Sequence, residues 1–237
     1  MTVVRRWEDP AAGAGRGSPR LLAGAVCWIL GLEWFVGQAI AQAAWTTPYS
    51  LASDYISDLG AVTCGRPQIA GYHVYVCSPL HTVMNVAFAL LGLLTLAGVV
   101  LLRPTLPRGR LASVGVAFVA LFGVGKIVVG LDPEDVRLLL HSLGALGILC
   151  GNIGVLLLGL AYWRIVRWRA AISLLVGVVG IVSFLLLAGG PSANVGIIER
   201  LADYPLPVWM AVLGAITLVR GMVRRRRLAG EEPSPAS

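Results

Sequence analysis

The sequence predicts an all-α, polytopic membrane protein with six transmembrane helices and both termini in the cytoplasm. Of its 237 residues 57% are hydrophobic and only 13% charged, whereas a soluble domain carries about 25% charged residues. So much apolar side chain cannot be hidden in one soluble core, and the long apolar runs exclude a disordered or collagen-like chain. Six stretches reach the roughly 20 apolar residues that a helix needs to cross a bilayer core. Arginines collect beside alternate ends of those stretches, where they set topology.

The first span, Leu21–Ala44, is too long for a cleavable signal and carries Glu33, Gln38 and Gln42. Glu33 lies about 16 Å from the outer end at 1.5 Å rise per residue. A carboxyl at that depth is a buried ionisable group that serves either helix packing or a proton or substrate path. The following loop, Trp45 to Pro79, is the longest segment outside the spans. Within it Leu51, Tyr55 and Leu59 recur at i,i+4, which predicts a short amphipathic helix on the outer leaflet, ending near Gly60. Cys64 and Cys77 both fall in this loop. A pair in an oxidising compartment is expected to form a disulfide, closing a loop of about 14 residues and worth roughly 3 kcal/mol. A zinc site is the weaker reading, because the spacing is not that of a zinc ribbon.

The second span, Leu80–Leu102, opens with His81 and carries Asn85 one turn deeper. The third, Leu111–Gly130, holds Lys126 near its outer end among Gly123, Gly125 and Gly130. A turn containing Asp132-Pro133-Glu134-Asp135 leads to the fourth span, Leu138–Trp163. Arg137 and His141 share one face at its start, and Asn152 lies deeper. Gly147-x-x-x-Gly151 permits close helix approach. The fifth span is Ala170–Ala188, and the last outer loop supplies Glu199, Arg200 and Asp203 before the sixth, Leu206–Val223. Cys27 and Cys150 lie inside spans and read as small apolar residues.

Arg5, Arg6, Arg16 and Arg20, then Arg103, Arg108 and Arg110, then Arg164, Arg167 and Arg169, then Arg220 and Arg224 to Arg227 all flank one side. The other side has Arg66, Arg137 and Arg200 against seven acids: Asp54, Asp58, Asp132, Glu134, Asp135, Glu199 and Asp203. The positive-inside rule places the first side in the cytoplasm of a cell-membrane protein. The chain thus divides into a cytoplasmic segment, 1–20, a six-helix domain, 21–223, and a basic and then disordered tail, 224–237. The net charge of +7 reflects this topology and gives no reason to expect nucleic acid.

Lys126 and His141 both fall about 6 Å inside the outer boundary, at the depth spanned by His81 and Asn85. Each has an ordinary explanation: a lysine snorkels, a histidine sits in headgroup water, and Glu199-Arg200 forms a local ion pair. Their shared depth is the functional signal, since polar groups inside a bilayer usually face a cavity or a partner.

Ile56-Ser57-Asp58-Leu59-Gly60 after Tyr49-Ser50, Cys77-Ser78-Pro79-Leu80 leading to Asn85, and Gly130 to Asp135 followed by His141 resemble a prokaryotic six-span family. Gly151-Asn152 and Gly196-x-x-Glu199-Arg200 with Pro205 and Trp209 fit it as well. That family is catalogued as a domain of unknown function, number nine-nine-eight, and is more distantly similar to the Frag-and-DRAM-like group. The resemblance covers residues 21–223 and implies fold and topology; no general activity goes with it.

Three functions compete. In the first, an outer pocket recognises a lipid or isoprenoid headgroup through Ser57, Asn85, Lys126, Asp132, Asn152, Glu199 and Arg200. In the second, a membrane-embedded hydrolase or other lipid-modifying enzyme uses Asp58, His81 and His141 as catalytic groups, residue types that suit a divalent metal. No nucleophile elbow or H-E-x-x-H supports it. The third, a small-solute transporter, rests on Glu33 alone, with no inverted repeat and no span expected to break near the midplane. No nucleotide, haem or flavin motif is present. Membrane lipids are the expected partners, and oligomeric state is left open.

Overall fold

A computed structural model describes residues 18–67 and 71–230, with side chains to residue 226. Arg5, Arg6, Arg16 and the tail beyond residue 230 lie outside the described residues. Six helical stretches are long and apolar enough to cross a membrane, and among the described residues there is no strand.

The first crossing starts where Ser18 caps it, its hydroxyl accepting from the Leu21 N–H at 3.3 Å, with Pro19 in the first helical position. It is two helices, α1 (Pro19–Leu30) and α2 (Glu33–Ala43), separated by a break at Gly31-Leu32. The unbroken first span expected from composition is therefore interrupted. At the break the pattern tightens to three-residue bonds, Leu32 N–H to Ile29 and Phe35 N–H to Leu32, both 3.1 Å. Apolar composition registers length and cannot register such a tightening.

α3 (His81–Leu102), α4 (Arg110–Leu131), α5 (Leu138–Tyr162) and α6 (Arg167–Ala188) follow. Each packs on the next, α4 against α5 most extensively. Along that seam a Cβ on Gly147 would stand 3.0 Å from the Gly125 Cα and 3.2 Å from the Leu121 carbonyl oxygen. Only hydrogen fits there, as the small-residue motif anticipated. Gly151 turns instead towards Phe122.

The sixth crossing begins earlier than expected. α7 (Val195–Asp203) runs through Tyr204 into α8 (Pro205–Gly230), so most of the supposed last outer loop is helical. Pro205 lacks an N–H, which marks the joint between the two. α8 continues through the basic run to Gly230. α8 packs against α1, and α1 against α3, so the six crossings close into a ring. Trp28, Trp34, Phe88, Leu91, Phe122, Trp209 and Met210 fill its middle.

The short amphipathic helix expected on the outer leaflet is absent. Residues 51–56 form turns, and only Ser57–Gly60 make one 3₁₀ turn. Aspartates explain the difference: Asp54 Oδ2 accepts from the Ser50 N–H (2.8 Å) and Asp58 Oδ2 from the Tyr55 N–H (2.9 Å). Side chains that bond nearby backbone in this way compete with helix. The segment is buried over the bundle, not laid on a leaflet, with Ile56, Asp58 and Leu59 wholly enclosed.

Candidate functional site

The end of the bundle that carries the acids is organised around the segment Tyr49–Ala61. α7 holds it from one side. The first N–H groups of that helix, at Gly196 and Ile197, donate to the Ala52 carbonyl at 2.9 and 3.3 Å, which satisfies donors a helix start leaves free. Arg200 Nη1 donates to the carbonyls of Leu51 (3.1 Å), Asp54 (3.0 Å) and Gly196 (2.9 Å), and Nη2 to the Tyr49 hydroxyl (2.6 Å). Glu199 accepts from the Ile56 N–H. Glu199 and Arg200 thus each brace the loop.

From the other side, α3 and the turn before α5 complete the clamp. Asn85 Nδ2 donates to the Gly60 carbonyl (2.8 Å) and the Ser78 hydroxyl to that of Leu59 (2.7 Å). A Cβ on Gly60 would lie 3.3 Å from the Asn85 Cγ, so this glycine is required by close approach. Asp135 accepts from the N–H groups of Val62 (3.1 Å) and Thr63 (2.7 Å) and from the Thr63 hydroxyl (2.7 Å). Burial works against its charge, yet these donors hold its carboxyl below the usual range. The Cys64–Cys77 disulfide is formed as expected, beside a bridge in which Gly65 and Val76 exchange hydrogen bonds of 2.9 and 2.8 Å.

Asp58 is the most enclosed of the acids. The Tyr72 hydroxyl donates to it, and Glu134 lies within hydrogen-bonding reach. Burial first, and then the charge of Glu134, push its carboxyl up to about 10, so it holds a proton at neutral pH. Its Oδ1 and Oε1 of Glu134 are both buried with no other donor beside them, so the proton on Asp58 serves the pair. Burial and the neighbouring acids also push the Tyr55 phenol up to about 12. Ser57 is buried in the same 3₁₀ turn.

Lys126 is not a snorkelling residue. It is 2% exposed, paired with Asp203 at the end of α7, with its ammonium 4.6, 5.0 and 5.3 Å from the ring centres of Trp34, Phe88 and Phe122. Asn152 Nδ2 donates to the carbonyls of Ile148 (2.9 Å) and Ala202 (2.8 Å), tying α5 to α7. His81 Nδ1–H donates to the Ser78 carbonyl (2.9 Å), and His141 Nδ1–H to that of Asp132 (3.0 Å). The first bond closes the turn that opens α3, and the second ties α5 to the end of α4. Asp132 pairs with Arg137 at 3.0 Å. Glu33 stands apart, half-buried in a groove between α2 and α3 with Val36, Gly37, Val83 and Ala87.

The structure therefore joins Asp58, Ser57, Asn85, Glu199 and Arg200 around one loop, and leaves Glu33 elsewhere. Among the described residues no three His, Cys, Asp or Glu side chains are placed to hold a metal ion together. Sequence reasoning counted Glu134 and Asp203 among the acids of the outer loops without naming them as site residues, and passed over Tyr72. A counter-ion for a lysine at that depth was the available signal for Asp203; nothing marked Tyr72, which reaches Asp58 only through the stapled loop.

Beside the clamp opens a cleft of about 380 Å³, lined by Ala61, Thr63, Arg66, Val76, Glu134 and Leu138 among others. A crevice near Arg169 at the opposite end has only about 30 Å³, room for a water or two. The protein family described as "protein of unknown function (DUF998)" matches residues 29–216. No curated protein and no solved structure matches the chain.

Proposed function

Since the chain belongs to the DUF998 family of unknown function, we propose from the geometry that it recognises a lipid headgroup, at an acidic end facing outside the cell. The cleft is the observation that carries this reading. It joins a cation, Arg66, and the polar groups of Thr63, Glu134 and Asp135 to the apolar side chains of Val76 and Leu138. Leu138 is the first residue of a crossing helix, so the cleft lies where a headgroup meets its acyl chains. Arg66 is exposed, with no hydrogen bond or ion pair among the described residues, and is therefore available to a phosphate.

Lys126 and Arg200, the deeper cations, support the site indirectly, because their charges are already engaged by Asp203 and by loop carbonyls. The hydrolase reading finds less support. Asp58, His81 and His141 would have to act together, yet among the described residues no three such side chains are placed to hold a metal ion between them.

Native mass spectrometry of the protein extracted in mild detergent tests the proposal. We expect bound phospholipid in the native chain and several-fold less in Arg66→Ala. The control is Arg164→Ala, at the opposite end. Equal retention in the two variants would refute headgroup recognition at the cleft.

A further inference from the structure

We propose that the crevice at the basic end of the bundle, opposite the cleft, binds a phosphate group against Arg169. It is a second site, and it stands or falls separately from headgroup recognition at the cleft.

Arg169 is a buried cation whose N–H groups find no acceptor among the described residues. It is only 7% exposed and lines the crevice with Leu21, Trp28, Leu213 and Arg220. Its Nε–H is enclosed without a hydrogen bond. The rings of Tyr162 and Trp168, centred 5.7 and 5.4 Å from the guanidinium carbon, attract its charge. They do not take the paired N–H groups along its edge. The hydroxyls of Thr105 and Thr217, on the same crevice, donate to the carbonyls of Leu102 and Leu213, both at 2.8 Å, and leave Arg169 unserved. Topology accounts for the charge and not for its burial, since an exposed arginine such as Arg167 satisfies the positive-inside rule equally well. Arg169 is moreover the third residue of α6, and a helix start favours anions over cations. No carboxylate offsets it: of the acids among the described residues, Glu33 lies within the first crossing and the rest lie towards the cleft.

An oxyanion presented at a narrow tip fits this place. The space of about 30 Å³ admits about two water-sized atoms, which keeps an acyl chain, a sugar or a base outside. Two oxygens of one phosphate match the paired N–H groups of a guanidinium edge. Arg220 is exposed on the same crevice and adds a second positive charge, so a phosphate dianion gains more here than chloride or a carboxylate. Free phosphate and the monoester phosphate of phosphatidic acid both present the group.

Equilibrium dialysis of the full chain in mild detergent against radiolabelled inorganic phosphate, at constant ionic strength, tests the site. The native chain should bind the label, and equal concentrations of chloride or acetate should not displace it. Arg169→Lys keeps the charge but loses the fork, and should weaken binding about tenfold or more. Arg167→Ala and Arg66→Ala should leave it unchanged. Displacement of the label by phosphatidic acid, and not by phosphatidylcholine, would identify the lipid as the source of the phosphate; failure to displace it would identify the free ion. No binding by the native chain, displacement by chloride, or binding that survives Arg169→Lys would overturn the proposal. Loss of binding in Arg66→Ala instead would move the phosphate to the cleft and overturn it as well. Glu8, Asp9, Glu231 and Glu232 lie outside the described residues. Phosphate binding that emerges only when all four are changed to their amides would make a carboxylate of the chain itself the occupant, and would also overturn it.

Discussion

Lys126 shows how much a single buried charge constrains. Its ammonium is shut among Trp34, Phe88 and Phe122, and Asp203 provides its counter-charge. Removing one partner of a buried pair leaves the other uncompensated and typically costs about 3–5 kcal/mol, whereas replacing both is often nearly neutral. We therefore expect Lys126→Met to lower the unfolding midpoint in detergent sharply, and Lys126→Met with Asp203→Asn to recover most of the loss. A double variant as unstable as the single one would show that the ion pair is not what holds α4 to α7. The depth of Lys126 was legible in the sequence as a count of residues from the end of its span. Its role was not, because Asp203 had been assigned to a loop and only the helical continuation of α7 brings it inward. The same limit applied to His81 and His141. Residue type marked them as reactive, but composition does not reveal the bonds that orient them, from His81 Nδ1 to the Ser78 carbonyl and from His141 Nδ1 to that of Asp132 at the end of α4.

Among the elements, the first long loop departs furthest from expectation. Its i,i+4 apolar pattern was real, and Leu59 is indeed enclosed, but Asp54 and Asp58 turn the backbone before a helix can propagate. The stretch Ile56 to Gly60 acquires a physical meaning from this. Its backbone N–H and carbonyl groups are the ones seized by Glu199, Ser78 and Asn85, and its glycine is the residue that lets Asn85 approach. The disulfide was readable from the expected compartment and from the pair of cysteines in one loop. It fixes the strip that carries Thr63 and Arg66, so its loss should loosen the cleft as well as the fold. For Cys64→Ser with Cys77→Ser we expect a destabilisation of at most about 3 kcal/mol, measured by thermal unfolding. Lipid retention should fall in parallel, and unchanged retention would show that the strip keeps its place without the staple.

The crossings themselves were the most legible feature of the molecule, since length and apolarity decide whether a helix can span a bilayer. Six crossings among the described residues would return the chain to the side on which the first of them begins. Which side is a matter of charge. Arg103, Arg108, Arg110, Arg164, Arg167 and Arg169 all belong to the end opposite the cleft, and by the positive-inside rule we expect that end in the cytoplasm. A green fluorescent protein fused after Ser237 should therefore be bright, and alkaline phosphatase at the same position inactive. An active phosphatase fusion would invert the orientation and place the cleft on the inner leaflet.

The ring of helices closes by bringing α8 beside α1, and this governs the order in which the protein can be completed during synthesis. Of these six crossings the first leaves the ribosome earliest and its neighbour last. Until the sixth crossing arrives, Gln38 lacks the Tyr204 hydroxyl that donates to it at 2.7 Å, and Trp28 lacks the Trp209 ring 6.0 Å away. An unfinished chain ending after α6 thus offers the membrane an open seam with a polar group in it. A nascent chain stalled before the closing helix therefore keeps Gln38 and Trp28 facing lipid without the partners that α8 and the residue before it bring.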